Sequence, residues 1–396
     1  MRKINIIHLL VYIYLLLKPF YIFPSGSIQI SDLFIIMAYF ILVLITLKKE
    51  NLKKYIKHEI YLLGVFVFSI VGVSIVYSVM YFRYDFLLSA SFYIFDFMGV
   101  YVLYYCIKEK KFIRNMRNIC KINILLQVIF YLVGLGTWYG TVRYMGTFND
   151  PNQFAFFIFS SLTVVYVIED NLQLKKSIIS YLISIFLIIE SGSTGMLLGT
   201  MVFVLGGVVY KIKKIDMKKY IKPMLATVSL IFVGISIILL TFNNVGDYIY
   251  NFTKDNIIIN RVREKLSRAN NTSGNLLQER GYDKIIKYPY KMILGAGHGY
   301  NERYKTYHTG EIHATFPSIL FYYGIVPFII LILWICKNVR YVPKNIMIVY
   351  FSLLVESMTL LNQRQILFWI LIILGSLYKT GEKENEIFCS STSIQF

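Results

Sequence analysis

The sequence predicts an all-α, polytopic integral membrane protein. Of its 396 residues, 57% are hydrophobic and 17% are aromatic, more than soluble domains carry. The apolar residues form long runs, and a helix needs about 20 apolar residues to cross a hydrocarbon core of roughly 30 Å. Basic residues gather between these runs. Because a lipid-exposed backbone must satisfy its own hydrogen bonds, the runs are expected to be helices.

About twelve stretches are candidate transmembrane helices. In chain order they are residues 4–22, 28–47, 60–81, 87–107, 122–140, 152–169, 177–190, 194–210, 223–241, 315–336, 345–361 and 366–378. Polar or charged connections separate them, among them PSGS, KKENLKKYIKHE, FRYD, KEKKFIRNMRNICK, DNLQLKK, KIKKIDMKK, KNVRYVPK and NQRQ. Several stretches are short or contain polar breaks, and the pair around Glu190 can also be interpreted as one broken helix.

The distribution of charge predicts how the chain is oriented. Lys and Arg number 41 against 22 Asp and Glu, for a formal net charge of +19. Basic clusters fill every second connection, whereas the short connections between them hold Arg83, Arg143 and Arg364. The positive-inside rule then puts both termini in the cytoplasm. The basic runs are interpreted as topology signals, so the expected partner is the lipid bilayer, with no nucleic acid.

The predicted spans divide the chain into three parts. Residues 1–241 hold helices 1–9 with the Arg143 loop, residues 242–313 form one long extracytoplasmic loop, and residues 314–396 hold helices 10–12 and a cytoplasmic tail. The long loop is basic overall. Positive charge on the translocated side favours a ligand-binding role, although long loops are exempt from the topological bias. The four cysteines show no paired spacing, so neither a disulfide framework nor a zinc site is predicted.

A first motif, RYMGTFNDPNQFAFF, lies in the predicted outer loop between the fifth and sixth spans. It places Arg143, Asp150 and Asn152 close together at the membrane surface. Pro151 can open the next helix in its first turn, with Asp150 as the N-cap. A helix start beside a guanidinium forms an anion site. The alternative is a capped helix plus an interfacial arginine.

A second motif, IIESGSTGMLLGT, interrupts two apolar runs on the predicted outer side. Its small residues favour close helix packing. Glu190 offers another interpretation, because a carboxylate at membrane depth is costly and is usually functional.

A glycine-rich stretch, LGAGHGY, follows Pro289 in the long loop. Glycine at this density is incompatible with a stable helix and lets the backbone approach another group closely. The stretch is either a phosphate-binding turn or a corner where the loop re-enters the membrane.

A further motif, HTGEIHATFPSILFYYG, brings two histidines and Glu311 to the start of the tenth span. His313 lies at its predicted outer end, where a neutral imidazole can act as a general base or as a hydrogen-bond donor near pH 7. A single interfacial histidine is otherwise structural. Arg143 and Arg280 on the same predicted face favour the functional interpretation.

Taken in order, these segments resemble the bacterial O-antigen polymerase and O-antigen ligase superfamily of polytopic enzymes. The segments are Arg143 followed by GTFNDPNQFA, the SGSTG break, Arg280 with Pro289, Gly295 and Gly297, and His313 followed by an apolar run to Gly324. They span roughly half of the chain, and their order and common sidedness carry the resemblance. One departure is that the family often has an arginine inside its Ser-x-Ser break, whereas SGSTG has none.

The resemblance implies a GT-C-like membrane glycosyltransferase of the cytoplasmic (inner or plasma) membrane. Its substrates would be oligosaccharides on undecaprenyl pyrophosphate, and it would need no metal and no cofactor. The roles that the resemblance implies are pyrophosphate binding by Arg143 and Arg280 and a base or acceptor contact by His313. Reserve candidates for the base are Asp150, Glu190 and Glu311, and further substrate-binding candidates are Asn152, Arg303 and Glu311.

The function that follows is polymerisation of repeat units into capsule or O-antigen polysaccharide, with a flippase and a chain-length regulator as possible protein partners. One alternative is an O-antigen-ligase-type transfer of the finished glycan to an acceptor. Another is a flippase or transporter of lipid-linked sugars, with buried Asp32, Asp96, Glu190 and Glu356 along its pathway. A structural membrane subunit would leave the clustered arginines unexplained.

Overall fold

A computed structural model describes residues 5–24, 27–48, 58–140, 142–213, 278 and 280–379. Within these residues the chain is mostly helical, with two short strands. The predicted ninth span, residues 223–241, lies outside the described residues, as do residues 242–277 of the predicted long loop.

The first half of the chain forms eight helices within its described residues and one β-hairpin. They are α1 (Ile6–Leu17), α2 (Ile30–Lys48), α3 (His58–Tyr81), α4 (Asp85–Cys106), α5 (Lys110–Leu132), β1 (Thr137–Tyr139), β2 (Arg143–Gly146), α6 (Pro151–Asn171), α7 (Ile178–Glu190) and α8 (Thr194–Lys213). The strands β1 and β2 pair antiparallel.

The second half begins with short helices and continues into apolar ones. They are α9 (Asp283–Lys287), α10 (Lys291–Leu294), α11 (Thr315–Tyr323), α12 (Ile325–Val339), α13 (Lys344–Ser357) and α14 (Ile366–Leu374). Short 3₁₀ turns occupy Asn301–Arg303 and Gly375–Tyr378.

Four helices within the described residues are long and apolar enough to cross a membrane. Their apolar windows are Ile30–Leu47, Glu59–Tyr81, Asp85–Cys106 and Pro151–Asn171. Their outward faces carry exposed apolar side chains such as Phe68, which is 79% exposed. A helix that is apolar on its exposed face as well as on its buried face suits a lipid environment. The coarse prediction, an all-α membrane protein, is therefore confirmed.

Two helices lie at the centre of the bundle. Every residue of α14 is buried, and 83% of the apolar window of α6 is buried. α14 packs against α4, α6 and α12, while α8 packs along α13. Gly199 of α8 allows this last contact, because a Cβ there would lie 2.9 Å from the Cβ of Glu356, and Gly195 packs in the same way against Thr359 and Leu360, just after α13. The small-residue interpretation of the second motif therefore holds for this helix pair.

The fifth predicted span differs from the structure at both ends. The sequence predicts residues 122–140, whereas α5 begins at Lys110 and ends at Leu132. Its first turns carry the basic run that was assigned to a connection, and that run's apolar residues Phe112, Ile113 and Met116 are buried. Residues after Leu132 form the β-hairpin, which the apolar pattern did not predict.

The tenth predicted span, residues 315–336, is broken in the structure into α11 and α12. The break is at Gly324, which has φ of 91° and ψ of 176°, a region that only glycine occupies readily. Gly295 of the glycine-rich stretch lies against this break, and a Cβ at Gly324 would lie 2.8 Å from the Gly295 nitrogen. The tight contact between the two glycines explains the interruption.

Replacing Gly324 by alanine is expected to lower the free energy of unfolding by about 1–3 kcal/mol, because an L side chain is strained there and meets backbone atoms. Gly72→Ala is the matched control, since a Cβ on Gly72 meets no other described heavy atom within 4 Å. That control is expected to be neutral or stabilising by up to about 1 kcal/mol. Thermal unfolding of the purified proteins in detergent measures both, and equal stability of the two variants would contradict the strain at Gly324.

Candidate functional site

A cavity of about 870 Å³ lies at one end of the helical bundle. This volume is within the range of small-molecule sites. The lining comes from connections that the charge pattern assigns to a single side, together with the adjoining turns of α2, α4 and α6. The charged residues of the lining, together with its histidine, are Lys18, Asp32, Arg143, Asp150, Arg280, Glu311, His313 and Arg364. Predicted site residues from three separate segments thus meet in this cavity.

Arg143 is the first residue of β2 and is buried to 9% exposure. Its Nε donates to the carbonyl oxygen of Ser191 at 2.9 Å, and its Nη2 donates to Oδ1 of Asn152 at 3.0 Å. Ser193 Oγ donates to the same Asn152 oxygen at 2.9 Å. These acceptors orient the guanidinium. The SGSTG break therefore positions Arg143 in addition to packing helices.

Asp150 is the N-cap of α6, as the sequence predicts. Its Oδ1 accepts from the backbone nitrogens of Asn152 at 2.8 Å and Gln153 at 3.0 Å, with Pro151 in the first turn. The sequence analysis predicts that these N–H groups, at the start of the helix, bind an anion. In the structure they donate to the Asp150 carboxylate instead. Anion binding in the cavity is therefore expected from side chains, and Asp150 has a capping role.

Arg280 is attached to the turn that follows α13. Its Nη1 donates to the carbonyl oxygen of Thr359, and Tyr282 Oη donates to that of Met358 at 2.7 Å. The carbonyl oxygen of Arg280 accepts from the backbone nitrogen of His313 at 3.0 Å. This backbone bond makes Arg280 and His313 neighbours although 33 positions separate them in the sequence.

His313 is partly buried, and its ring centroid lies 5.0 Å from that of His308. Burial lowers the pKa of His313 below its usual 6.5, and His308, Arg280 and Lys284 lower it further against the opposing effect of Glu311. The imidazole is therefore neutral at pH 7. A neutral imidazole in a cavity can accept a proton from a bound hydroxyl group.

Glu311 forms an ion pair with Arg364, a residue that the motif analysis did not select. Arg364 Nη2 donates to Glu311 Oε2, and Arg364 Nη1 lies 3.3 Å from Oε1. His298 Nε2 lies 3.0 Å from Oε2. Burial opposes ionisation of Glu311, but the hydrogen bond from His298 and the charge of Arg364 outweigh burial and lower its pKa to about 2. Such a carboxylate is a poor proton acceptor near pH 7.

Two predicted site residues, Glu190 and Arg303, are not among the described residues that line this cavity. Glu190, at the end of α7, accepts from Tyr131 Oη at 3.1 Å. Arg303 donates to the carbonyl oxygen of Gly297 at 2.8 Å, and its guanidinium carbon lies 5.0 Å from the ring centroid of Phe86. Arg303 thus joins the glycine-rich stretch to α4, and neither residue is placed where it could meet a ligand in the cavity.

The glycine-rich stretch has a packing role rather than the phosphate-binding one offered as an alternative. It forms no helix, as predicted, and Gly295, Gly297 and Gly299 all have positive φ. The backbone nitrogens of Ala296 and Gly297 donate to the carbonyl oxygen of Tyr322 at 3.0 and 2.8 Å. The close backbone approach is therefore made to the end of α11.

No family model and no curated protein sequence matches the chain. The described residues contain no group of three or more His, Cys, Asp or Glu side chains arranged to hold a metal ion. The cavity itself combines guanidinium groups, a neutral imidazole and amide side chains such as Asn152 and Gln365. Guanidinium groups bind phosphate and carboxylate, and amides and imidazole bind hydroxyl groups.

Proposed function

We propose that the chain is a GT-C-like membrane glycosyltransferase of the O-antigen polymerase and ligase type. It polymerises undecaprenyl-pyrophosphate-linked repeat units into capsule or O-antigen polysaccharide on the outer face of the cytoplasmic membrane. One observation carries the proposal: Arg143, Arg280 and His313, from three distant segments, line one cavity of an apolar helical protein. Cations that bind a diphosphate, next to a neutral base, fit this chemistry.

In the proposed reaction the bond between the anomeric carbon of the donor glycan and its pyrophosphate breaks. The acceptor hydroxyl oxygen forms the new bond to that carbon, its proton passes to His313, and the lipid pyrophosphate leaves. Arg143 and Arg280 stabilise the negative charge that develops on the leaving oxygen. Binding both lipid-linked substrates in one cavity supplies orientation.

The proposed topology has twelve spans with both termini in the cytoplasm. Its support is the meeting of Arg143, Gly192, His313 and Arg364 in one cavity, because the charge pattern assigns their connections to the same side of the membrane. A cavity at that end would open where lipid-linked glycans are displayed after their translocation.

Purified protein given one lipid-linked repeat unit, without nucleotide sugar, is expected to produce a ladder of longer lipid-linked glycans. The lipid pyrophosphate already supplies the activated leaving group, so no further energy source is required. Gel electrophoresis of the glycans measures the ladder, and a reaction with heat-denatured protein is the control. Movement of unchanged units between leaflets without chain growth would contradict the proposal and favour a flippase.

A further inference from the structure

Arg364 stands in the cavity next to residues from two other parts of the chain. It lies between α13 and α14, Glu311 precedes α11, and His298 belongs to the glycine-rich stretch. The side chains of Arg364 and Glu311 are 28% and 25% exposed, and both line the cavity. His298 is only 2% exposed and lies behind them.

The carboxylate of Glu311 holds Arg364 through both of its oxygens. Its Oε2 also lies 3.0 Å from His298 Nε2. A carboxylate only accepts hydrogen bonds, so Nε2 carries the proton in this bond and Nδ1 is the acceptor that faces Tyr323 Oη at 3.5 Å. Arg364 Nη2 also lies 3.2 Å from Nε2, but in this tautomer Nε2 does not accept from it. The imidazole ring stacks on Tyr322 with centroids 4.4 Å apart. Packing against Tyr322 therefore holds the His298 ring in place. His298 orients the carboxylate of Glu311, and that carboxylate orients the guanidinium of Arg364.

This arrangement leaves part of Arg364 for a ligand. A guanidinium has five N–H groups in a rigid fork, and a carboxylate that binds through two oxygens uses two of them. The guanidinium carbon lies 5.2 Å from the ring centroid of Phe92, another lining residue. One edge of the fork is thus held by Glu311 while the partly exposed remainder borders the same cavity as Arg143 and Arg280.

We propose that Arg364 is a third guanidinium that binds the anionic headgroup in the cavity, and that Glu311 and His298 are positioning residues that orient it. The inference rests on the proposed function for the identity of that headgroup, a diphosphate on an isoprenoid lipid. Three guanidinium groups match the several oxygens of a diphosphate better than those of a monophosphate. Glu311 is accordingly a positioning residue and not the base.

The test uses full-length protein in nanodiscs of uncharged lipid. Calorimetry measures how tightly the protein binds farnesyl diphosphate and farnesyl monophosphate. Arg364→Gln combined with Glu311→Gln removes the ion pair without leaving an unpaired charge. This double variant is expected to bind the diphosphate about tenfold to hundredfold more weakly, with a smaller loss for the monophosphate. Arg83→Gln combined with Asp85→Asn is the matched control, because it removes an ion pair outside the cavity lining.

A single Glu311→Gln variant separates ligand binding from a purely structural ion pair. It keeps the cation and one acceptor oxygen, so it is expected to retain more diphosphate affinity than the double variant. If the ion pair only stabilised the fold, the neutral double variant would bind the diphosphate at least as tightly as the single variant. Equal affinities of wild type and the double variant overturn the inference alone, whereas wild-type protein that binds neither lipid overturns the proposed function.

Discussion

Arg143→Ala is expected to slow glycan chain growth by about 100-fold or more, with normal insertion into the membrane. The guanidinium is oriented before the substrate arrives, because Ser191 and Asn152 already accept its hydrogen bonds. A preoriented cation stabilises developing charge without reorganisation, and removing one such donor typically costs that much in rate. The measurement is the rate of ladder formation by purified variant and wild-type protein at equal concentration.

Arg143→Lys tests whether geometry matters in addition to charge. Lysine keeps the positive charge but lacks the planar fork that contacts Ser191 and Asn152 together. Its chain-growth rate is therefore expected to lie well below that of wild type. Arg83→Ala is the control for loss of a positive charge elsewhere, since Arg83 pairs with Asp85 at 2.8 Å outside the cavity lining. Wild-type rates in Arg143→Ala would remove this residue from the proposed site.

The parts of the fold that follow from local sequence could be predicted. An apolar run needs no distant partner to become a helix in lipid, so the positions of α2, α3, α4 and α6 follow the pattern closely. The Asp150 cap also follows from adjacent residues, because Asp-Pro is a local signal for a helix start. These features depend on the nearest few residues.

Other features depend on contacts between distant residues. Gly324 and Pro327 are local signals for a helix end, but the apolar run continues through them, and the break exists where Gly295 packs against Gly324. The basic start of α5 was assigned to a connection because its charges conceal the apolar face that the bundle buries. Periodicity alone does not show such partners.

The candidate site shows the same division. Arg143, Arg280 and His313 could be selected from motifs, whereas Arg364 acquires its place from Glu311 and His298, which lie far away in the sequence. One signal was present: Arg364 is among the few arginines in the connections assigned to the outer side. Arg303 has a similar position in the predicted loop, but aromatic rings and carbonyl oxygens hold it outside the cavity.

His313→Ala is expected to reduce chain growth between about 100-fold and 10,000-fold, the range that general-base catalysis contributes. The reactive form is the neutral imidazole, which is populated above the pKa of His313. Burial lowers that pKa below 6.5, so the wild-type rate is expected to stay constant from neutral pH to below 6.5 and then to fall as the imidazole is protonated. Initial rates measured across pH 5 to 8 define this acidic limb.

The same lowered pKa has a consequence for stability. The unfolded chain binds the proton more readily than the folded protein, so protonation favours unfolding and the free energy of unfolding decreases as the pH falls through 6.5. Loss of activity at acid pH must therefore be separated from loss of fold. Activity that returns fully when the protein is brought back to pH 7 indicates protonation of the site rather than unfolding.

The residual activity of His313→Ala identifies the base. Without the imidazole, the residual rate is expected to be low and to show no decrease at acid pH, because no group with the pKa of His313 remains in the reaction. His308→Gln is the matched control: its ring neighbours His313 but does not line the cavity among the described residues, so this variant is expected to keep most of the rate and the limb. If His313→Ala retains the wild-type limb at a reduced rate, the proton goes to another group, and His313 only binds the acceptor.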